Sequence, residues 1–132
     1  MIFIKVCCNN KKAENSNAKV LGVIGAMEEE VEILKSKMTI AETEVIAGME
    51  FYKGTFEGKD IVLVRSGVGK VNMATCTQIL IDKFNVTALI NSGVAGTLDP
   101  SLEQGDIVIS TEQYNMILIL QYLEIHLEKY QD

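Results

Sequence analysis

The chain has 132 residues, a formal net charge of −6, 48% apolar residues and a single proline. A chain of this length and composition forms one globular domain, which excludes disorder throughout. No basic cluster is longer than Lys11-Lys12 and no apolar run reaches membrane-spanning length, so the sequence argues against nucleic-acid binding and predicts no membrane span. Its three cysteines and one histidine fit neither a disulfide framework nor the spacing of a zinc site.

Residues 1–18 are predicted to be a disordered extension. Met1–Val6 is apolar, but it is shorter than the apolar core of about 7–15 residues in a signal peptide. The polar segment Cys7–Lys19 follows it and is typical of a linker. We therefore expect a cytoplasmic protein. A cysteine before a polar linker also resembles the mature start of a bacterial lipoprotein, so a lipid-anchored or periplasmic location is the alternative.

From Lys19 onwards the sequence predicts strands that alternate with helices. The predicted strands are Val20–Gly25, Glu44–Ala47, Met49–Phe56, Asp60–Arg65, Thr87–Asn91 and Gly105–Ser110. The predicted helices are Met27–Met38 and Val71–Phe84, and a hairpin is expected around Glu57–Lys59. This alternation indicates an α/β domain with a largely parallel sheet and some antiparallel strands.

The sequence pattern changes after Asn115. Met116–Leu120 is a dense apolar run, and Gln121–Asp132 alternates apolar and charged residues. This segment could form an amphipathic helix, but it does not continue the alternation of strands and loops before it. We therefore divide the chain into an extension over residues 1–18, an α/β domain over residues 19–116 and an unrelated tail over residues 117–132.

The segment Gly25–Val31 (GAMEEEV) joins the first predicted strand of the domain to its first helix. Carboxylates are favourable there, because unpaired backbone N–H groups point towards them at a helix N-terminus. Helical periodicity of roughly 100° per residue places Glu28 and Glu29 on the solvent side and Glu30 near the apolar stripe. Glu30 is therefore predicted to face a cleft at the carboxyl end of the strand, where open α/β sheets bind ligands. The alternative is that all three are solvated acids at a helix start.

Two glycine-rich turns, Ser66–Lys70 and Ser92–Thr97, follow strands that we expect to be parallel. The first lacks the spacing of a phosphate-binding P-loop, and Asn72 stands where the dinucleotide-binding pattern has its third glycine. Both turns are expected at the same edge of the sheet as Glu30. They are either plain strand-to-helix turns or places where the backbone approaches a small ligand.

Four segments of the chain share one order and spacing with a known family. They are Gly25–Val31, Ser66–Val71, Asn91–Gly96 and Gly105–Ser110. Together they resemble the bacterial 5′-methylthioadenosine/S-adenosylhomocysteine nucleosidases, within the purine nucleoside phosphorylase superfamily. The resemblance implies an incomplete three-layer mixed sheet flanked by helices. It also implies a homodimeric hydrolase of methionine salvage that needs no metal or organic cofactor and releases adenine and a thioribose product from its nucleoside substrate.

The resemblance also implies roles for individual residues. Glu30 matches the carboxylate that positions and activates the attacking water and stabilises the positive charge of the transition state. Five further positions match contacts to the nucleoside: the loop residues Val94, Ala95 and Gly96 beside the substrate, and the apolar residues Val68 and Met27 around the sugar and its 5′ substituent.

The tail departs from the pattern of the family. In the family, the second half of the domain supplies a Met-Glu pair that binds the ribose hydroxyls and a Ser-Asp pair whose aspartate is the general acid. Nothing in residues 117–132 matches either pair, so we hypothesise a frameshift or premature stop near Met116 and expect impaired activity. One alternative is a nucleoside phosphorylase, for which Arg65 is the only arginine present. The other is a non-catalytic truncated gene product.

Overall fold

The computed structural model describes the backbone of residues 2–8 and 19–110, and the side chains of residues 19–110. In chain order the elements are β1 (Ile2–Cys8), β2 (Leu21–Gly25), α1 (Glu28–Lys37), β3 (Thr39–Ile46), β4 (Met49–Phe56), β5 (Lys59–Arg65), α2 (Lys70–Asp82), β6 (Ala88–Val94) and β7 (Ile107–Ile109). Within the described part of the chain, neither helix is long and apolar enough to cross a membrane. The predicted tail over residues 117–132 lies outside the described residues.

The strands form one mixed sheet in the order β3-β4-β5-β2-β6-β1-β7. The central strand β2 is parallel to both of its neighbours, β5 and β6. The strands β3, β4 and β5 are connected as antiparallel hairpins, and the predicted turn at Glu57–Lys59 joins the second of these. This arrangement confirms the predicted α/β class, with a parallel centre and antiparallel strands beside it.

Each face of the sheet is covered by one helix, because alternate residues of a strand point to opposite faces. The alternation is clearest in β5, where Ile61 and Leu63 pack on the side of α1 and Val62 and Val64 pack on the side of α2. All four are buried. The result is a three-layer domain with a core on each side of the sheet, as the resemblance implies.

The prediction of a disordered extension over residues 1–18 is wrong for Ile2–Cys8, which forms β1. This strand is antiparallel to β6 and parallel to β7, so it lies between them in the sheet. Its sequence, IFIKVCC, is rich in β-branched and aromatic residues that favour strands. Pairing with it also satisfies backbone groups that β6 would otherwise leave free at a sheet edge. Residues 9–18 lie outside the described part of the chain.

The edge strand β3 is longer than the four residues predicted at Glu44–Ala47. It runs from Thr39 to Ile46 and then turns through Ala47 and Gly48, which have φ angles of +52° and +76°. Most residues of its polar sequence, TIAETEVI, are exposed. The sequence therefore does not show the full length of the strand. Pairing with β4 along its whole length determines its extent instead. The predicted strand at Gly105–Ser110 shortens to Ile107–Ile109.

The thiol of Cys76 gives the core on the α2 side a measurable pH dependence. The residue is fully buried, and burial raises the pKa of the thiol from 9.0 to about 12. Between these values the unfolded chain loses the proton while the folded chain keeps it, so the thiol lowers stability as pH rises from about 9 to 12. Urea unfolding of wild type and Cys76→Ala at pH 8 and pH 10.5 tests this. Between these two pH values, we expect the free energy of unfolding to fall less in the variant than in wild type. Equal losses would contradict the raised pKa of the Cys76 thiol.

Candidate active site

Three parallel strands bring their carboxyl ends to one edge of the sheet. In the register of the sheet, Gly25 at the end of β2 is paired with Arg65 at the end of β5, and Ile24 is paired with Asn91 of β6. The backbone N–H of Ser66 donates to the carbonyl of Gly25 at 2.9 Å, which joins the turn after β5 to the end of β2. The turn into α1 and the two glycine-rich turns therefore leave the sheet at the same edge, as open α/β sheets arrange their ligand sites.

Glu30 is the acid that faces this edge. Its Oε2 atom accepts hydrogen bonds from the backbone N–H groups of Ala26 at 2.7 Å and Met27 at 3.1 Å. Its Oε1 atom accepts a hydrogen bond from the N–H of Val94 at 2.9 Å. The side chain is half-buried, in agreement with the inward orientation predicted from helical periodicity.

Helix capping explains only part of this arrangement. Glu30 is the third residue of α1, and a carboxylate there commonly accepts from the N–H of the N-cap residue, which is Met27 in this helix. Val94 is 64 positions further along the chain, so its bond to Glu30 has no role in capping. This bond ties the start of α1 to the end of β6. Because a carboxylate has about four acceptor positions, the three N–H donors hold it in place and leave one position for another donor.

The two neighbouring acids differ from Glu30 in their contacts. Glu28 is exposed and pairs with Arg65, with 3.4 Å between its Oε2 atom and the Nε atom of the arginine. Glu29 is exposed as well. Both therefore fit the solvated alternative that the sequence left open, and that alternative does not describe Glu30.

The five predicted substrate-binding residues lie around the same edge. Met27 follows β2, Val68 lies in the turn after β5, and Val94, Ala95 and Gly96 end or follow β6. All five are exposed, and Val68 and Val94 expose 73% and 66% of their surface. Exposed apolar residues at the sheet edge that holds a fixed carboxylate are typical of a surface that contacts a ligand or a partner. Their roles in binding stay a prediction.

The sequence patterns assign no role to two serines at this edge. Ser66 is buried at 4% exposure, and its hydroxyl donates to the carbonyl of Gly67 at 3.0 Å, which stabilises the turn after β5. Ser92 lies one residue before Gly93 at the end of β6. A serine two residues after the apolar run of a strand is the signal that could have identified both.

A groove of about 350 Å³ runs from this edge along the face of the sheet that α1 covers. Its walls are mainly apolar, with Glu30 and Ser92 among the few polar residues. The apolar lining residues are Leu21, Val23, Leu34, Phe56, Ile61 and Ile90. The carboxylate of Glu30 therefore lies where a polar strand edge meets an apolar surface. A carboxylate fixed in this way can accept a proton from a water molecule and stabilise positive charge that develops nearby.

Comparisons with known proteins identify the family of the chain. Residues 20–124 match the family described as the Phosphorylase superfamily. A 5′-methylthioadenosine/S-adenosylhomocysteine nucleosidase of Halalkalibacterium halodurans is 58% identical over 96 residues, which are 72% of this chain and 42% of the relative.

Solved structures show the same relationship. The nucleosidase of that name from Colwellia psychrerythraea, in complex with adenine, has a TM-score of 0.66 and 49% identity over 68% of this chain and 37% of its own. The enzyme from Neisseria meningitidis, in complex with methylthio-immucillin-A, has a TM-score of 0.64 and 41% identity over 67% of this chain and 38% of its own. The chain thus spans about two fifths of the length of the relatives that it matches. It belongs to the Phosphorylase superfamily.

Proposed function

We propose that the chain carries the water-activating part of a nucleosidase site. In this proposal it acts on 5′-methylthioadenosine and S-adenosylhomocysteine and hydrolyses the N-glycosidic bond to adenine and a thioribose product. The observation that carries the proposal is the carboxylate of Glu30, which three backbone N–H groups hold at the carboxyl ends of β2 and β6. The names of the matched relatives and the adenine bound in one of them support the choice of substrate.

Glu30 acts as a general base in the proposed reaction. Its free acceptor position takes a proton from water as the oxygen attacks the sugar carbon, and its charge stabilises the oxocarbenium-like transition state. The C–N bond breaks, its electron pair leaves with adenine, and solvent water protonates the adenine. Val94, Ala95 and Gly96 contact the nucleoside in this proposal, which is supported by the hydrogen bond from the Val94 N–H to the carboxylate of Glu30. Met27 and Val68 provide apolar surface for the sugar and its 5′ substituent.

A phosphorylase reaction is less consistent with the contacts of Arg65. A phosphorylase must bind phosphate, and an arginine suits that role because its guanidinium group pairs with phosphate oxygens. Arg65 instead pairs with Glu28, with 3.4 Å between its Nε atom and Oε2 of the glutamate, and both side chains are about half exposed. The only arginine of this chain therefore already has a carboxylate partner, which supports water as the attacking group.

The proposal is tested by the release of adenine from 5′-methylthioadenosine, measured by chromatography with and without phosphate. We expect release that does not depend on phosphate and is slower by orders of magnitude than that of a full-length relative. The rate should be low because a general acid alone contributes about 10²–10⁴-fold, and the family takes its acid from a part that the match does not cover. Release that requires phosphate would indicate a phosphorylase. A complete absence of release would indicate a non-catalytic chain.

The resemblance also extends to assembly and location. We propose a homodimer with a role in methionine salvage in the cytoplasm, and exposed apolar residues outside the proposed substrate contacts, such as Val71, support the dimer. Sedimentation velocity that gives only a monomer at micromolar concentration would contradict the dimer.

A further inference from the structure

Glu30 occupies a narrow slot between two glycines at the ends of β2 and β6. A Cβ atom at Gly93 would lie 2.7 Å from Oε1 of Glu30 and 3.1 Å from its carboxyl carbon. A Cβ atom at Gly25 would lie 3.1 Å from Cβ of Glu30 and 2.6 Å from Cγ1 of Val31. All four distances are shorter than a van der Waals contact of about 3.5–4.0 Å. Any side chain at either position would therefore compete with Glu30 or Val31 for space.

The backbone conformation does not explain why position 93 is glycine. Gly67 and Gly69, in the turn after β5, have φ angles of +80° and +108°, which L side chains rarely adopt. Gly93 has no φ in that region and belongs to the regular strand β6. Alanine could adopt its conformation, so the obstacle to a side chain at this position is the carboxylate of Glu30.

We infer that Gly93 is a positioning residue for Glu30. The missing side chain lets the carboxylate lie against β6 and accept the hydrogen bond from the N–H of Val94 at 2.9 Å. Gly25 provides the same clearance on the other side, at the Cβ atom of Glu30. The slot fixes the orientation of the carboxylate before any ligand arrives. Its consequence for catalysis rests on the proposed function, whereas the slot itself does not.

A double-mutant cycle in the full chain tests the inference without requiring activity. The thermal midpoints of wild type, Gly93→Ala, Glu30→Ala and the double variant are measured. An additional methyl group in a filled space destabilises the fold, so Gly93→Ala should lower the thermal midpoint by about 5–15 °C in the wild-type background. In the Glu30→Ala background the same change should lower it by less than about 2 °C, because the atoms that oppose the new methyl group are gone. Gly96→Ala is the matched control, because a Cβ atom there meets nothing within 4 Å.

The cycle gives a clear decision. The inference is supported if Gly93→Ala lowers the thermal midpoint in the wild-type background and not in the Glu30→Ala background. It is also supported if the Val94 amide of the Gly93→Ala variant loses its hydrogen-bonded chemical shift in ¹⁵N spectra. An equal decrease of the midpoint in both backgrounds overturns the inference. So does no decrease in either background together with an unchanged chemical shift of the Val94 amide.

The kinetic consequence is measured separately from the cycle. If wild type releases adenine, Gly93→Ala should lower kcat at least tenfold with little change in KM. If wild type releases none, the proposed function fails, and the cycle still decides whether the slot positions Glu30.

Discussion

Replacement of Glu30 by alanine is expected to lower both the stability of the domain and the release of adenine. The variant leaves the N–H groups of Ala26, Met27 and Val94 without their carboxylate acceptor. Loss of a cap together with a half-buried hydrogen bond should cost about 1–3 kcal/mol. Loss of a general base should lower adenine release by about 10²–10⁴-fold. Urea unfolding measures the first effect, and chromatography of released adenine measures the second.

Glu29→Ala is the matched control, since it removes an adjacent acid from the same turn of α1 that is exposed to solvent. We expect its unfolding midpoint and rate to stay close to those of wild type. Glu30→Gln adds a further distinction. The amide keeps the size of the side chain, but its NH₂ group faces backbone N–H donors on one side and cannot take a proton from water. It should therefore lose activity as alanine does. Similar behaviour of the Glu29 and Glu30 variants would show that Glu30 is only a solvated acid.

The sequence predicts the centre of this fold well because its signals there are local. The apolar run before Gly25 predicts a buried strand, and β2 is parallel to its neighbours as expected. The helix predicted at Met27–Met38 differs from α1 by one residue at each end. Helical periodicity also separates Glu30 from the two other acids, because the direction of a side chain around a helix follows directly from its position. Local patterns therefore predict the acid that faces the sheet edge.

The features that the sequence does not predict depend on contacts between distant positions. The bond between Glu30 and Val94 joins residues 64 positions apart, so no window of sequence contains both. The strand β1 exists through its pairing with β6 and β7, and β3 extends along β4 although its own residues are mostly exposed. In each case a partner strand or backbone group completes the structure, and at β1 it acts together with a local sequence that favours a strand.

The same limit applies to the glycines around Glu30. The sequence places Gly93 in a turn where the backbone could approach a ligand. The structure shows that the nearest atoms belong to the carboxylate of Glu30. A glycine that provides clearance for a side chain cannot be distinguished by sequence from one that provides a turn. Only the geometry shows that Gly67 and Gly69 have positive φ angles while Gly93 gives space.

Replacement of Phe51 by alanine is expected to destabilise the domain more than the replacement of Glu30 does. Phe51 has no exposed surface, and its ring stacks on that of Phe84 with 5.1 Å between the centroids. It joins the hairpin strand β4 to the residues that follow α2, within the larger of the two cores. Truncation of a buried phenylalanine costs about 3–5 kcal/mol. Since domains are stable by only about 5–15 kcal/mol, much of the total would be lost.

Phe56 provides the matched control for Phe51, because it is the same residue type in the same strand. It is only partly buried and borders the open groove on the α1 side. Phe56→Ala should therefore cost about 1–2 kcal/mol, since part of its surface already faces solvent. Urea midpoints at constant m-value measure both variants. Equal losses would mean that the two sides of the sheet contribute alike. A larger loss at Phe51 would place the stability of this chain in the core between the hairpin and α2, on the opposite face of the sheet from α1 and its glutamate.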